Sequence, residues 1–229
     1  MSFDEAKFEP ADFSGTARVF PLPNLVMFPH VIQPLHIYEP RYRDLLEDAL
    51  AGDRLIAMAQ LAPGWEKNYE GRPAVEPVAC LGRVTTHVRL ADGCYNLLLS
   101  GVARLALGRE LKPTKSFRRM KARICFDRYP AKYAERKEAV QRQLFAAFRR
   151  ALPKSAGAQN PLMQLHEADV DLAVLTDIMG FTLDLPLGLK SALLAESNVL
   201  SRARRLLNHL GGSSAPSEGP TFPPEFSRN

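Results

Sequence analysis

Between Phe20 and Tyr42 the chain reads FPLPNLVMFPHVIQPLHIYEPRY, with prolines at 21, 23, 29, 34 and 40 set into a run of Phe, Leu, Val, Met and Ile. The apolar residues demand burial. Each proline removes a backbone donor, so it belongs at a strand end, an edge or a bulge. Short pieces of extended chain folded over a small barrel-like core, with prolines at the corners, satisfy both demands. Pro40 suits the first turn of a helix, where its missing N–H costs nothing. Tyr42, Leu45, Leu46, Ala49 and Leu50 then share an apolar face, and Gly52 ends that helix. The prolines therefore punctuate a strand-to-helix transition.

Beyond this segment the pattern changes once. From 17 to 128 it is mostly strand. RLIAMAQL (54–61) is a short apolar run suited to a buried strand. VACLGRVTTHVRL and CYNLLLSG flank Ala91-Asp92-Gly93, a hairpin signal in which Gly supplies positive φ. RMKARICFD alternates, with Met120, Ala122, Ile124 and Phe126 on one side. From 131 the period is helical: 131–152 places Val140, Leu144, Phe145 and Phe148 on one face. A break at 153–161 follows, then DVDLAVLTDIMG stopped by Gly180, LPLGLKSALLAE, and SNVLSRARRLLNHL. The expected organisation is a loose leader over 1–16, a β-rich domain over 17–128, a helical domain over 129–210 and a disordered tail over 211–229.

The 229 residues carry a net charge of +5, too little and too dispersed to mark a nucleic-acid protein. Cys80, Cys94 and Cys125 have no CxxC spacing and read as core or strand thiols of a reduced cytosol. The N-terminus lacks the apolar core of a secretory signal, and no apolar stretch approaches a membrane span. The expectation is a cytoplasmic, soluble protein without a membrane partner.

FPLPNLVMFPHVIQPLHIYEPRYRDLLEDALAGDR resembles the opening motif of the Lon protease N-terminal, or LON substrate-binding, domain family. LGRVTTHVRLADGCYNLLLSGVARLAL resembles the family's glycine, DG hairpin and G-x-x-R strand, and LTDIMGFTLDLPLGLKSALLAESNVLSRARRLLNHL its closing helices. The resemblance covers roughly 17–210 and implies an α+β fold: a PUA-like β pseudo-barrel of about six strands followed by an α-helical bundle. It also implies capture of protein substrates. The sequence has no G-x-x-x-x-G-K-[ST] loop, no serine–lysine dyad in a strand–loop context, and no cysteine-rich zinc module. The expectation is a stand-alone, non-catalytic polypeptide-binding module without cofactor, ATPase or peptidase. Its partners would be unfolded or extended polypeptide, with a protease or chaperone as companion. The alternative is an RNA-binding module using the same barrel.

Among candidate site residues, Phe28, His36, Tyr38, Tyr42, Trp65 and Tyr69 are the aromatic and imidazole groups assigned to polypeptide binding, although several must also fill the core. Trp65 and Tyr69 lie in APGWEKNYEGRPAVEP (62–77), a long irregular loop suited to an aromatic landing place. Glu39 and Arg41 flank the helix start and read as a structural corner, Glu39 favouring the helix N-terminus and Arg41 gripping a carboxylate. His30 and His36 lack a third ligand, so no metal site is expected. Ser100, Thr85, Thr86 and His87 form no nucleophile–base unit, since neighbours on a strand face opposite sides. Arg149, Arg150, Arg202, Arg204 and Arg205 read as a solvated basic face of the helices.

Overall fold

A computed structural model describes residues 8–69, 71–151 and 170–212. Six strands appear in chain order: β1 (Thr16–Leu22), β2 (Ile32–Ile37), β3 (Leu55–Gln60), β4 (Val78–Arg89), β5 (Tyr95–Glu110) and β6 (Arg118–Cys125). Neighbours run β2-β5-β4-β3-β1-β6, and β6 also pairs with β5. That last pairing closes five strands into a barrel and leaves β2 outside the ring. β5 is long enough to serve two partners on one edge, β2 along Tyr95–Ser100 and β6 along Arg104–Glu110. Helix α1 (Pro40–Leu50) lies between β2 and β3. Helices α2 (Tyr133–Ala151), α3 (Leu172–Thr182), α4 (Leu187–Ala195) and α5 (Val199–Gly212) follow the barrel.

The prolines sit where the sheet can spare a donor. Pro34 is in β2, whose sole strand neighbour is β5. Pro21 is in β1 beyond Val19, where β6 has already left and β3 alone remains alongside. Pro40 opens α1, which buries Tyr42, Leu45, Leu46 and Ala49. The Asp92-Gly93 hairpin forms: Gly93 has φ +81°, and the Cys94 N–H donates to Asp92 Oδ1 at 2.9 Å.

Alternation along the strands builds two apolar layers. Ala17, Val19, Leu55, Ala57, Ala59, Ala79, Leu81 and Leu105 fill the barrel, and so many alanines reflect its narrow bore. Phe20, Leu22, Ile56 and Met58 point outward and pack under the helices with Leu144, Leu172, Leu175 and Leu206. Both faces of β1 and β3 are thus buried, which is why LIAMA is continuously apolar. The shift from 128 to 129 is a change of secondary structure, while the outer layer runs unbroken across it.

A bulge explains the G-x-x-R string. Leu81 pairs with Ala103 and Gly82 with Gly101, so Val102 is extra. The extra residue swaps the faces of β5: Leu97 and Leu99 lie in the outer layer, Leu105 in the barrel, and Arg104 faces the helices. Gly101 permits the Phe28–Pro29 backbone to cross it; a Cβ there would lie 2.1 Å from the Phe28 carbonyl oxygen.

Several expectations need correcting. Residues 8–15 are not a loose leader: Phe8 and Phe13 pack on the barrel core, and Asp12 pairs with Arg83 at 2.9 Å. Gly180 does not stop its helix; α3 continues to Thr182, and the Leu183 N–H caps the Met179 carbonyl at 3.0 Å. Gly180 instead makes room for Phe28, whose ring would be 3.0 Å from an added Cβ. α5 extends through Gly212, two residues into the expected tail. The expected break at 153–161 and the rest of the tail lie outside the described residues.

Candidate functional site

Phe28 is fully buried and belongs to the outer core, not to a binding surface. Pro29 after it and the Gly101 crossing fix its backbone, and its ring fills the space that Gly180 leaves. Tyr42 is also buried, 4.3 Å from the Phe20 ring centroid, and burial pushes its hydroxyl pKa up. His36, on the edge strand β2, stacks at 6.2 Å with Tyr38 just past the strand's end, and His36 Nδ1 lies 2.8 Å from Asn96 Oδ1.

Glu39, Arg41, Tyr42 and Tyr69 do come together. Glu39 occupies the cap position of α1 but makes no side-chain cap bond. Its carboxylate accepts from Arg41 Nε at 2.9 Å and from the Tyr69 hydroxyl at 3.3 Å. The Arg41 guanidinium lies 4.7 Å from the Tyr42 ring centroid and 5.4 Å from that of Tyr69. The corner thus ties Tyr69 of the 62–77 loop to the start of α1. Arg118 continues it, donating to both Glu110 oxygens and, at 2.7 Å, to the Pro73 carbonyl. A cleft of about 440 Å³ opens here, and its arginines are already paired.

Trp65 lies on the other side of the loop, in a short 3-10 turn entered through Gly64 at φ +88°. Its ring meets Tyr69 edge-on at 5.6 Å. It lines an open groove of about 540 Å³ between the barrel and α4, with Pro23, Leu61, Pro63, Pro77 and Leu187 among its walls. Gln60 and Ser191, hydrogen-bonded to each other, bridge barrel to helix within it. The sequence identified Trp65 but not the rest. The groove exists because α4 returns from more than a hundred residues later to lie against β4, with Ser191 reaching Gln60 at the end of β3. Ile32, Val88 and Leu98 form a second exposed apolar set on the solvent-facing side of β2-β5-β4, opposite Leu97 and Leu99, legible only once the register is known.

The same helix α4 has a dry side. Arg104 and Asp177 form a doubly hydrogen-bonded pair, and Arg104 Nε donates to the Leu194 carbonyl at 3.0 Å. Arg202 donates to both Asp127 oxygens, at 2.8 and 3.0 Å, and to Thr176 Oγ1 at 2.8 Å. Arg202 was expected on a solvated face; it is fully buried, because the α5 face it occupies meets two carboxylates from other segments. Burial pushes the Asp177 carboxyl up against the pull of Arg104. Burial also acts on Asp127, but the Arg202 hydrogen bonds and both arginine charges outweigh it and hold that carboxyl below its ordinary range.

Two of the candidate nucleophiles are cysteines that their surroundings keep protonated. Cys80 is buried, and burial pushes its thiol up; Cys94 is pushed up by desolvation and by Asp92. A neutral thiol is a poor nucleophile. Thr85 Oγ1 donates to the Leu98 carbonyl at 3.2 Å, and among the described residues no hydroxyl of Ser100, Thr85 or Thr86 bonds an imidazole. No group of three His, Cys, Asp or Glu among them could hold a metal ion, and no helix among them is long and apolar enough to cross a membrane.

A family model for the ATP-dependent protease La (LON) substrate-binding domain matches residues 16–211. The Lon protease of Roseiflexus castenholzii is 24% identical over 203 residues, which are 88% of this chain and 25% of that protein. The N-terminal domain of Lon protease from the Mycobacterium avium complex shares the fold with a TM-score of 0.66 at 13% identity, over 86% of this chain and 98% of that one. A Lon N-terminal domain protein from Xanthomonas campestris does so with a TM-score of 0.61 at 20% identity, over 84% and 97%. The chain spans about a quarter or less of the length of the curated relatives it matches.

Proposed function

This chain belongs to the family of LON substrate-binding domains, and we propose that it captures extended or unfolded polypeptide by binding alone, without catalysis. The observation that carries this reading is the open groove at the seam of barrel and α4, walled by Trp65, Leu61, Leu187 and three prolines. Proline rings and a packed indole lose little freedom when a client arrives, so more of the burial energy is kept. A client side chain burying about 100 Å² of apolar surface there gains roughly 2.5 kcal/mol before ordering costs. Tyr69 supports Trp65 from behind, and Glu39 and Arg41 anchor Tyr69. His36 on the edge strand and Tyr38 just beyond it offer an accessory contact to a long client. Handing clients to a protease or chaperone in the cytoplasm is the biological role that fits.

The test is a binding titration with a permanently unfolded, disulfide-reduced polypeptide and, separately, a single-stranded RNA, each at low and high salt. Polypeptide binding that persists at high salt supports the reading, because apolar burial is weakly screened. Binding of RNA alone, falling steeply with salt, would overturn it.

A further inference from the structure

The groove beside Trp65 has a sign. Two ionic side chains line it, Glu66 and Glu76, and both are carboxylates. The chain as a whole has 30 Lys and Arg against 25 Asp and Glu, so two acids and no base is against the average. Elsewhere around the barrel, carboxylates are engaged: Glu39, Asp48, Asp53 and Glu110 each meet an arginine. Glu66 and Glu76 have no ion pair or side-chain hydrogen bond among the described residues. Lys190 of α4 does not line the groove, and its Nζ is held by the Phe181 carbonyl at 3.0 Å. The indole adds a third attraction, since its face favours a cation.

We propose that this groove selects extended segments carrying a Lys or Arg next to an apolar residue. The apolar side chain packs on Trp65, Leu61 and the prolines, and the cation is received by Glu66 and Glu76. The inference rests on the capture reading and narrows its clients. A cation in a half-open groove gains from two carboxylates and the ring together, which makes the basic segment about tenfold tighter than a neutral one.

Calorimetric titration of the whole protein with three short unstructured peptides tests this. The peptides are identical except for one position beside a Leu, occupied by Lys, norleucine or Glu. The Lys peptide is expected to bind about tenfold more tightly than the norleucine peptide at low salt, with the gap closing at high salt as exposed charges are screened. Glu66→Gln, at an exposed position, should narrow the gap, and Glu66→Gln/Glu76→Gln should abolish it. Equal affinity for all three peptides, or a gap that survives the double substitution, overturns charge selection while leaving polypeptide capture standing. Failure of every peptide and of unfolded polypeptide to bind overturns both.

Discussion

Helix α4 meets the barrel in two opposite ways. On one side Leu194 joins a closed network in which Arg104, Asp177, Arg202 and Asp127 alternate in sign and leave no charge unpaired. On the other, Ser191, Ala192 and Ala195 border an open groove whose two carboxylates have no cation among the described residues. Ordering a charge inside a protein is expensive unless a partner comes with it. The dry side therefore supplies its own partners and fixes where the helices sit. The open side keeps its charge in water, which costs little, and leaves it available.

The contrast is broken most directly at the dry side. Asp127→Asn strips the buried Arg202 of its doubly hydrogen-bonded carboxylate, and should lower the unfolding free energy in urea by about 3–5 kcal/mol. A loss under about 1 kcal/mol would mean that water reaches the junction and that the two sides do not differ. Gly101→Ala should cost about 2 kcal/mol or more by the same measurement, because the Phe28 carbonyl is part of the backbone and cannot step aside. On the open side the ranking inverts. Trp65→Ala should change stability by less than about 1 kcal/mol yet weaken unfolded-polypeptide binding about tenfold, as loss of an aromatic anchor does.

Acid sharpens the comparison further. Asp127 has a lowered pKa, so its contribution is complete above the unfolded carboxylate value near 4 and is lost as pH falls through its folded value. Asp177 has a raised pKa, so its contribution runs the other way: it is present at low pH and lost as pH rises through the folded value. The acid-side fall in melting temperature therefore belongs to Asp127 within this network, and Asp127→Asn should flatten it while Asp177→Asn should not. The smallest effect is expected at Gly188, where an added Cβ meets nothing within 4 Å. Gly188→Ala should stabilise α4 by up to about 1 kcal/mol in thermal melts.

What the sequence showed and what it hid divide along the same lines. Local rules made the Asp92-Gly93 hairpin, the Pro40 helix start and the alternation of β6 readable, because each depends on residues a few positions apart. Phe28, Gly180 and Arg202 were misread for one shared reason. Phe28 and Gly180 define each other's space across about 150 residues of chain, and Arg202 finds Asp127 75 residues away. An arginine amid other arginines looks solvated until its carboxylates arrive from elsewhere. Trp65 stood out as the single tryptophan on a long loop, but the wall facing it comes from α4 and carried no local signal.

Within the closed barrel β1 lies beside β6, and Thr16 pairs with Lys121. On a ribosome the first strand must wait for more than a hundred residues before its second neighbour emerges. Until α3 and α5 follow, the outward side chains of β1 and β3, Phe20, Leu22, Ile56 and Met58, have only α1 to begin covering them. Contacts so distant along the chain are slow to form, and uncovered apolar strands invite association. A nascent chain of this design therefore spends its synthesis as the kind of polypeptide that we propose its finished groove captures.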